Sequence, residues 1–347
     1  MNAQSGRPVQ AVVVGAGLMG RWHVEAAVRA GAAVTAVVDR EHARAKHLAA
    51  RVRGATAYGG LSAALEEGTG VRVVHICTGL DSHVSLAREA LNAGCHVLVE
   101  KPFVSDMAEL HEILALASAR KLLACPVHQF LFQRGILSGM QRVRTLGSER
   151  GTIRHLEMEV ASTGADAGAL GRDEAVLEIL PHSLAFAARL CGAGIATADW
   201  SVQRASEGEI SVGTVIGPTR IGFRISMRGR PPLNRLRLVT DSGTLEADLF
   251  NGFSVWDGSG NSRLMKLFRP IRSAAATAAA TSTNLLGRAL RAETAYPGLR
   301  ELVRRFYGAC ANEAPSPIGT EETLAVTAAW TTLRRLLDTP TNHARLM

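Results

Sequence analysis

The sequence predicts an α/β protein: a doubly wound parallel sheet in the N-terminal part, followed by an α+β domain with a mostly antiparallel sheet. The first observation is that short apolar runs alternate with helical stretches over the first 130 residues, which indicates a parallel sheet. The second is that strand-like runs later follow one another without intervening helices. The third is the length of 347 residues, which exceeds one ordinary core. We therefore expect two domains, 1–130 and 131–347.

Apolar runs mark the predicted strands of the first domain, and continuous runs of this kind are typical of strands buried on both faces. They are Val9–Val14, Val34–Val38, Val71–Cys77, Val97–Val99 and Leu122–Val127. Helices are predicted at 19–30, 41–52, 83–93 and 105–120. In the last of these, the apolar residues recur at helical spacing after Pro102.

The second half predicts a long helix over Asp173–Cys191 and then a sheet. The predicted strands are His155–Val160, Ser201–Ala205, Ile221–Met227, Leu236–Val239 and Thr244–Phe250. The Ala/Thr-rich stretch 273–283 has no clear period, so either a loop or a surface helix is open there. Two closing helices are predicted at 298–312 and 320–338.

Composition argues against several classes of protein. Hydrophobic residues make up 47% and charged residues 20% of the chain, as in soluble globular proteins. No apolar stretch approaches the roughly 20 residues that span a bilayer, and the polar start Met1–Gln10 lacks a secretory signal, so we expect the cytoplasm. The five cysteines form no CxxC pair, so we expect neither a disulfide framework nor a metal site.

The net charge of +8 raises the question of an anionic partner. Only four of the 39 basic residues are lysine, which fits compositional bias, and no basic run contains interleaved aromatic residues. We therefore expect no nucleic-acid partner. Two interpretations stay open for one basic cluster: a solvated surface, or a clamp for a phosphate or carboxylate of the substrate. The cluster consists of Arg263, Lys266, Arg269, Arg272, Arg288 and Arg291.

The motif GAGLMG, residues 15–20, lies between the first predicted strand and the first helix. A GxGxxG spacing in this context indicates a dinucleotide-binding loop. Gly15 permits the tight turn, Gly17 lets a pyrophosphate approach the backbone, and Gly20 lets the helix pack on the strand. The helix start, which includes Leu18 and Met19, offers N–H groups and a partial positive charge to phosphates.

Asp39 ends the second predicted strand, at the distance where a carboxylate accepts hydrogen bonds from the ribose hydroxyls of NAD. The same carboxylate repels the 2′-phosphate of NADP. Arg40 beside it is able to bind that phosphate, so NADP stays an alternative. Glu100-Lys101-Pro102 follows another strand end, where a lysine is well placed to stabilise charge on a substrate oxygen.

These segments together resemble the glucose–fructose oxidoreductase / inositol dehydrogenase / MocA (Gfo/Idh/MocA) family. The resemblance rests on GAGLMG, on Cys77-Thr78 followed by His83, and on Glu100-Lys101-Pro102. It implies an NAD(P)-dependent oxidoreductase acting on a hydroxyl or carbonyl carbon of a sugar, cyclitol or related ring. It also implies that Cys77, Thr78, His83, Glu100 and Lys101 lie at the cofactor.

A second signature of that family, Asp-x-Gly-x-His, corresponds to 178–182 in this chain. The resemblance implies that His182 is the acid/base, a role that suits an imidazole because its pKa lies near neutrality. Glu178, four residues earlier on the same helical face, would orient His182 or a substrate hydroxyl. His128 and Gln129 match a further pattern and are expected at the substrate. The departures from the family pattern are Glu178, Leu180, Ala185, Gly79 and Leu131.

Because these departures remove polar contacts, the substrate is expected to be less polar or unusually shaped. One alternative is a reductase of a secondary-metabolite or nucleotide-sugar pathway. A rival of another class is a non-catalytic regulator that senses the dinucleotide, although Lys101 and His182 favour an enzyme. The resemblance further implies a homo-oligomer, a dimer or tetramer, that takes a small-molecule substrate and needs no membrane.

Overall fold

The computed structural model describes residues 8–68, 70–163, 171–258, 262–293 and 295–338. Most of the polar start therefore lies outside the described residues. The chain divides into two compact units. The first unit runs up to Gln129 and includes Leu299–Thr327, and the second comprises Phe130–Gly298 with the residues from Ala328 onward.

The strands of the first unit are β1 Gln10–Val14, β2 Ala33–Val38, β3 Thr56–Tyr58, β4 Val73–Ile76, β5 His96–Val99 and β6 Ala124–Pro126. Those of the second are β7 Ile153–Ala161, β8 Ser201–Ser206, β9 Glu209–Ile216, β10 Thr219–Ser226, β11 Leu233–Thr240, β12 Gly243–Asp248 and β13 Phe253–Gly258. The helices are α1 Leu18–Arg29, α2 His42–Ala49, α3 Leu61–Glu67, α4 His83–Asn92, α5 Met107–Ala119, α6 Arg134–Thr145, α7 Arg172–Cys191, α8 Arg263–Leu290, α9 Leu299–Ala311 and α10 Thr320–Asp338.

The sheet of the first unit is parallel throughout and has the order β3-β2-β1-β4-β5-β6, the doubly wound order. Alternate residues of its central strands, such as Val12, Val74 and Val97, form one buried core on one face. Such a sheet is buried because helices cover it on both sides. The predicted fold class of the first domain is confirmed.

The sheet of the second unit has the order β13-β12-β11-β7-β10-β9-β8, and only its β7–β10 pair is parallel. The predicted mostly antiparallel sheet is therefore confirmed. The sequence patterns missed β9 and β13 in this unit, and they also missed the helix α6. The Ala/Thr-rich stretch 273–283 is helical and forms the middle of the 28-residue helix α8.

Two short elements of the first unit were also missed: β3 has three residues and α3 has seven. Helix α5 begins later than predicted because Asp106 caps it, accepting the N–H of Ala108 at 2.7 Å.

Among the described residues, one helical stretch, Arg172–Thr197, is long and apolar enough to cross a membrane. Its most apolar window is 56% buried inside the protein, as in the core helix of a globular domain.

Candidate functional site

The glycine loop between β1 and α1 has the geometry that its spacing predicts. Gly15 has a φ of +97°, and a Cβ there would lie 2.5 Å from the carbonyl oxygen of Cys77. A Cβ on Gly20 would collide with the Gly15 carbonyl. A Cβ on Gly17, in contrast, would meet no atom within 4 Å, so the space beside this residue is open to a ligand.

The start of helix α1 suits an anion. No side chain caps it, and its first turn, which includes Leu18 and Met19, contains no acidic residue. A pyrophosphate beside Gly17 would therefore meet the positive end of the helix dipole without competition from a carboxylate. The loop fits the phosphates of a dinucleotide.

Asp39 is tied to this loop. Its Oδ2 accepts the N–H of Ala16 at 2.7 Å, and its Oδ1 accepts the N–H of Glu41 at 2.9 Å. Each carboxylate oxygen has a second lone pair, so both can still accept a ribose hydroxyl. The side chain is half-buried, and the neighbouring Arg40 is exposed.

The end of β4 carries Cys77 and Thr78. Burial, together with the charge of Glu100, holds the pKa of the Cys77 thiol well above its usual range, so the thiol stays protonated. His83 is buried and connects two segments: its Nε2 lies 3.1 Å from the Thr78 carbonyl oxygen, and its Nδ1 lies 3.0 Å from that of Pro102. His83 thus connects the segment at Thr78 with the segment at Pro102.

Glu100 holds the backbone of Lys101 from a buried position. One carboxylate oxygen accepts the Lys101 N–H at 3.2 Å, and the other accepts Nε2–H of His23 at 3.0 Å. Burial acts to raise the pKa of Glu100, but the hydrogen bonds from His23 and from the Lys101 N–H, together with the charge of Lys101, outweigh burial and lower it. Glu100 is therefore an ionised positioning group beside Lys101, which is half-buried.

A chain of buried hydrogen bonds continues from His23. The Nδ1 atoms of His23 and His75 are 2.8 Å apart, and Nε2 of His75 lies 2.7 Å from the hydroxyl oxygen of Tyr307 on α9. Burial, and then the neighbouring His23, hold the pKa of His75 well below its usual value, so that ring is neutral. One arrangement then places a single proton in each bond: Tyr307 donates to His75, His75 to His23, and His23 to Glu100.

Sequence reasoning missed this chain. The only local signal was His23, three residues after the last glycine of the GAGLMG motif, where α1 packs on the sheet. His75 faces the helices from the buried strand β4, and 232 residues separate it from Tyr307.

His182 lies in the second unit, on α7. Its side chain is buried, and its ring packs against Phe130 with a centroid distance of 4.5 Å. The preceding residue, Pro181, has no N–H to donate to the carbonyl of Leu177. The indole Nε1–H of Trp330 supplies the missing hydrogen bond at 2.9 Å.

Glu178 is half-buried and one helical turn before His182, so the two share a face of α7. The structure places His128 and Gln129 at the end of the first unit, where both are buried. Lys101 belongs to the first unit, and Glu178 and His182 belong to the second.

The basic cluster predicted around the Ala/Thr-rich stretch is spread along α8 and just beyond it. Arg269 pairs with Asp257 at 2.7 Å, and Arg291 pairs with Glu293 at 3.5 Å. Arg288 donates to the Asn251 carbonyl. Arg263, Lys266 and Arg272 are exposed. This arrangement favours the solvated-surface interpretation. Among the described residues, no group of three or more His, Cys, Asp or Glu could hold a metal ion.

Comparisons with known proteins agree with this geometry. The family described as "Oxidoreductase family, NAD-binding Rossmann fold" (GFO_IDH_MocA) matches residues 9–128. UDP-N-acetylglucosamine 3-dehydrogenase of Acidithiobacillus ferrooxidans is 32% identical over 147 residues, 42% of this chain and 44% of that protein. Inositol 2-dehydrogenase of Leifsonia xyli subsp. xyli is 38% identical over 106 residues, 30% of this chain and 31% of that protein.

The matched segments therefore span less than half the length of these curated relatives. The whole fold has a counterpart in the crystal structure of GenD2 from gentamicin A biosynthesis in complex with NAD. The TM-score is 0.75 at 18% identity, and 97% of each chain is covered. At this identity the likeness shows a shared fold.

The predicted resemblance is confirmed over residues 9–128, and the NAD-binding description of the matching family agrees with the predicted cofactor class. The glycine loop, the open space at Gly17 and Asp39 lie within the matched residues. Residues 9–128 of this chain thus match the Gfo/Idh/MocA oxidoreductase family, which is described as having an NAD-binding Rossmann fold.

Proposed function

We propose that the protein is an NAD(P)-dependent oxidoreductase that moves hydride between nicotinamide and a hydroxyl or carbonyl carbon of a sugar, cyclitol or related ring. One observation carries the proposal: the glycine loop, Asp39, Thr78 and Lys101 all follow the carboxyl ends of parallel strands of one sheet. In sheets of this type, ligands bind outside the carboxyl ends of the strands.

The cofactor is held by groups of the first unit. The start of α1 at Gly17, Leu18 and Met19 receives the pyrophosphate, and Asp39 receives the ribose hydroxyls. Because a carboxylate repels a 2′-phosphate, NAD is preferred over NADP. NADP stays an alternative because Arg40 is able to bind the 2′-phosphate. Thr78 and Cys77 adjoin the cofactor, and His83 and Glu100 position the segments around it.

The substrate oxygen is handled by two side chains. Lys101 stabilises charge on this oxygen through its ammonium group. His182 takes the hydroxyl proton during oxidation and returns it during reduction, and Glu178 orients the imidazole. A nicotinamide held by the first unit would supply or take up the hydride. His128 and Gln129 contribute to the substrate site.

A nucleotide-linked sugar is the second candidate substrate. By its name, the relative from Acidithiobacillus ferrooxidans acts on UDP-N-acetylglucosamine. Leu131, Leu180 and Ala185 are apolar where the family commonly has polar residues or glycine, which leaves fewer contacts for a free polyol. A substrate bound largely through its nucleotide has less need of such contacts.

We place the protein in the cytoplasm as a homo-oligomer that takes a small-molecule substrate. All five cysteines are free thiols, which fits a reducing compartment.

The test combines binding and turnover with the purified full chain. Calorimetry with NADH and NADPH should show dinucleotide binding, and a panel of free sugars, inositols and UDP-sugars should show oxidation or reduction of the cofactor. Binding without turnover of any member would support the rival, a dinucleotide-sensing regulator. Absence of binding at millimolar dinucleotide would contradict both.

A further inference from the structure

The buried hydrogen-bond chain of the first unit ends at the backbone of Lys101. Tyr307 on α9, His75 on β4 and His23 on α1 lead to Glu100, and each of the four is at most 5% exposed. The distances along the chain are 2.7, 2.8 and 3.0 Å, and Glu100 accepts the Lys101 N–H at 3.2 Å. Because these side chains are buried, the residues themselves decide which atom donates in each contact.

Both ends of the chain fix the direction of donation. An ionised carboxylate only accepts, so His23 has to donate to Glu100 through Nε2. At the other end, burial is the largest of the causes that raise the pKa of Tyr307, so the hydroxyl keeps its proton. Among the described residues, His75 is the hydrogen-bond partner of this hydroxyl, so Tyr307 donates to Nε2 of His75. His75 is therefore left to donate from Nδ1 to His23.

The Tyr307 hydroxyl thereby selects one tautomer of His75. Without this hydroxyl, Nε2 of His75 has no donor, and the ring is free to move its proton from Nδ1 to Nε2. His23 then keeps its contact with His75 only by donating from Nδ1, which removes the proton that its Nε2 gives to Glu100. Two acceptors, an imidazole nitrogen and a carboxylate oxygen, would then face each other, and the carboxylate would turn away. Its other oxygen is the one that holds the Lys101 N–H.

We propose that three residues of this chain are positioning residues for Lys101, which they hold in place through Glu100: Tyr307, His75 and His23. The proposal rests on the proposed function, in which Lys101 stabilises charge on the substrate oxygen. A group with this role has to be held close to its productive geometry by neighbours that are themselves fixed. The chain supplies such neighbours, because it ties the Lys101 backbone to side chains of α1, β4 and α9.

The first test determines the histidine tautomers by NMR in the isotope-labelled full chain. In the wild type, His75 should carry its proton on Nδ1 and His23 on Nε2. Tyr307→Phe keeps the ring and removes the hydroxyl, so both imidazoles should change tautomer and the amide signal of Lys101 should shift. Tyr58→Phe is the matched control, since it removes a hydroxyl of the same unit that donates to an exposed carboxylate at 3.0 Å. This control should leave the three signals unchanged.

The second test measures turnover with the substrate that the panel of sugars, inositols and UDP-sugars identifies. Tyr307→Phe should lower kcat about tenfold, since a misplaced catalytic group costs up to about a hundredfold. Dinucleotide affinity should stay near that of the wild type, because the glycine loop and Asp39 are unchanged. Tyr58→Phe should keep the wild-type kcat, and circular dichroism checks that both variants are folded.

Unchanged histidine tautomers in Tyr307→Phe would contradict the proposal. A wild-type kcat in this variant would also contradict it, because the chain would then serve stability alone. If the wild type turns over no member of the panel, the proposed function fails in its own right. The tautomers and the Lys101 amide signal then still decide the inference: a change in Tyr307→Phe supports positioning of Lys101 by the chain, and no change overturns it.

Discussion

The Nδ1 atoms of His23 and His75 face each other at 2.8 Å, and both rings are fully buried. Two imidazoles that meet through the same kind of nitrogen form one hydrogen bond only when one of them donates and the other accepts. A proton on both nitrogens would break the contact. The tautomer of each ring is thereby coupled to the ionised Glu100 at one end of the chain and to Tyr307 at the other.

The burial of His75 predicts that the free energy of unfolding decreases as the pH falls below about 6.5. The pKa of folded His75 is well below 6.5, so below that pH the unfolded chain binds a proton that the folded protein does not. The contribution of His75 is therefore complete above pH 6.5 and decreases by up to about 1.4 kcal/mol per pH unit below it. Urea unfolding between pH 8 and pH 5 measures it.

Burial also lowers the pKa of His96, so His96 adds to the same slope. The variant His75→Leu separates the two contributions. Its free energy of unfolding should be lower than that of the wild type at pH 8 but should depend less steeply on pH. An unchanged slope in this variant would assign the titration to another group.

Lys101→Ala should lower turnover about a hundredfold, because one charge-stabilising donor is lost. Dinucleotide affinity should stay near that of the wild type. Lys46→Ala removes an exposed lysine on α2 and is the matched control, with turnover expected to be unchanged. Steady-state kinetics and calorimetry separate the two effects, and full activity of Lys101→Ala would make the lysine structural.

Asp39→Ala should narrow the preference for NADH over NADPH, because the repulsion of the 2′-phosphate is lost. Asp39 also accepts the Ala16 N–H, so the alanine loosens the glycine loop as well. Asp39→Asn keeps an acceptor oxygen and removes the charge, and should shift the ratio of the two affinities in the same direction. A constant ratio in both variants would remove Asp39 from the ribose site.

His182→Asn should reduce turnover by roughly a hundred- to ten-thousandfold, the range of general acid–base catalysis. One limb of the pH–rate profile should disappear with it. Glu178→Gln should shift that limb, since a carboxylate favours the charged form of a neighbouring imidazole. His155→Asn, on β7 of the same unit, is the control and should leave the profile intact. If His182→Asn keeps its rate and profile, His128 is the next candidate.

Trp330→Phe should destabilise the protein by about 1–3 kcal/mol, because it leaves the Leu177 carbonyl without a donor. Pro181→Ala restores a helical N–H to the same carbonyl. In the Pro181→Ala variant, Trp330→Phe should therefore lower the free energy of unfolding by less than it does in the wild type. Urea unfolding of the wild type, the two single variants and the double variant gives the coupling free energy between Pro181 and Trp330. A value near zero would mean that the indole acts only through packing.

Local patterns made the strand-end positions of the candidate site predictable. Gly15 and Asp39 each follow an apolar run directly, Lys101 follows one after Glu100, and a parallel sheet brings strand ends to one edge. Tyr307 was not predictable, because its partner His75 is 232 residues away and neither residue belongs to a motif. Trp330 was missed for the same reason: its role depends on a carbonyl that Pro181 leaves without a donor.

The weak elements were missed for a different reason. The three residues of β3 are too few to show a period. Helix α8 was ambiguous because the residues in its middle are almost all small, so they show no apolar period. Strands β9 and β13 alternate in burial or are only half-buried, which weakens the apolar signal that marks the first-unit strands.

The discontinuity of the first unit has a consequence for biosynthesis. Its sheet is encoded before residue 130, but α9, which carries Tyr307, is translated only after Phe130–Gly298 of the second unit. Until then His75 of the nascent chain lacks its hydrogen-bonding partner Tyr307. The first unit therefore reaches its final structure only after Leu299–Thr327 has been synthesised, and a messenger truncated before Leu299 would yield an incomplete unit.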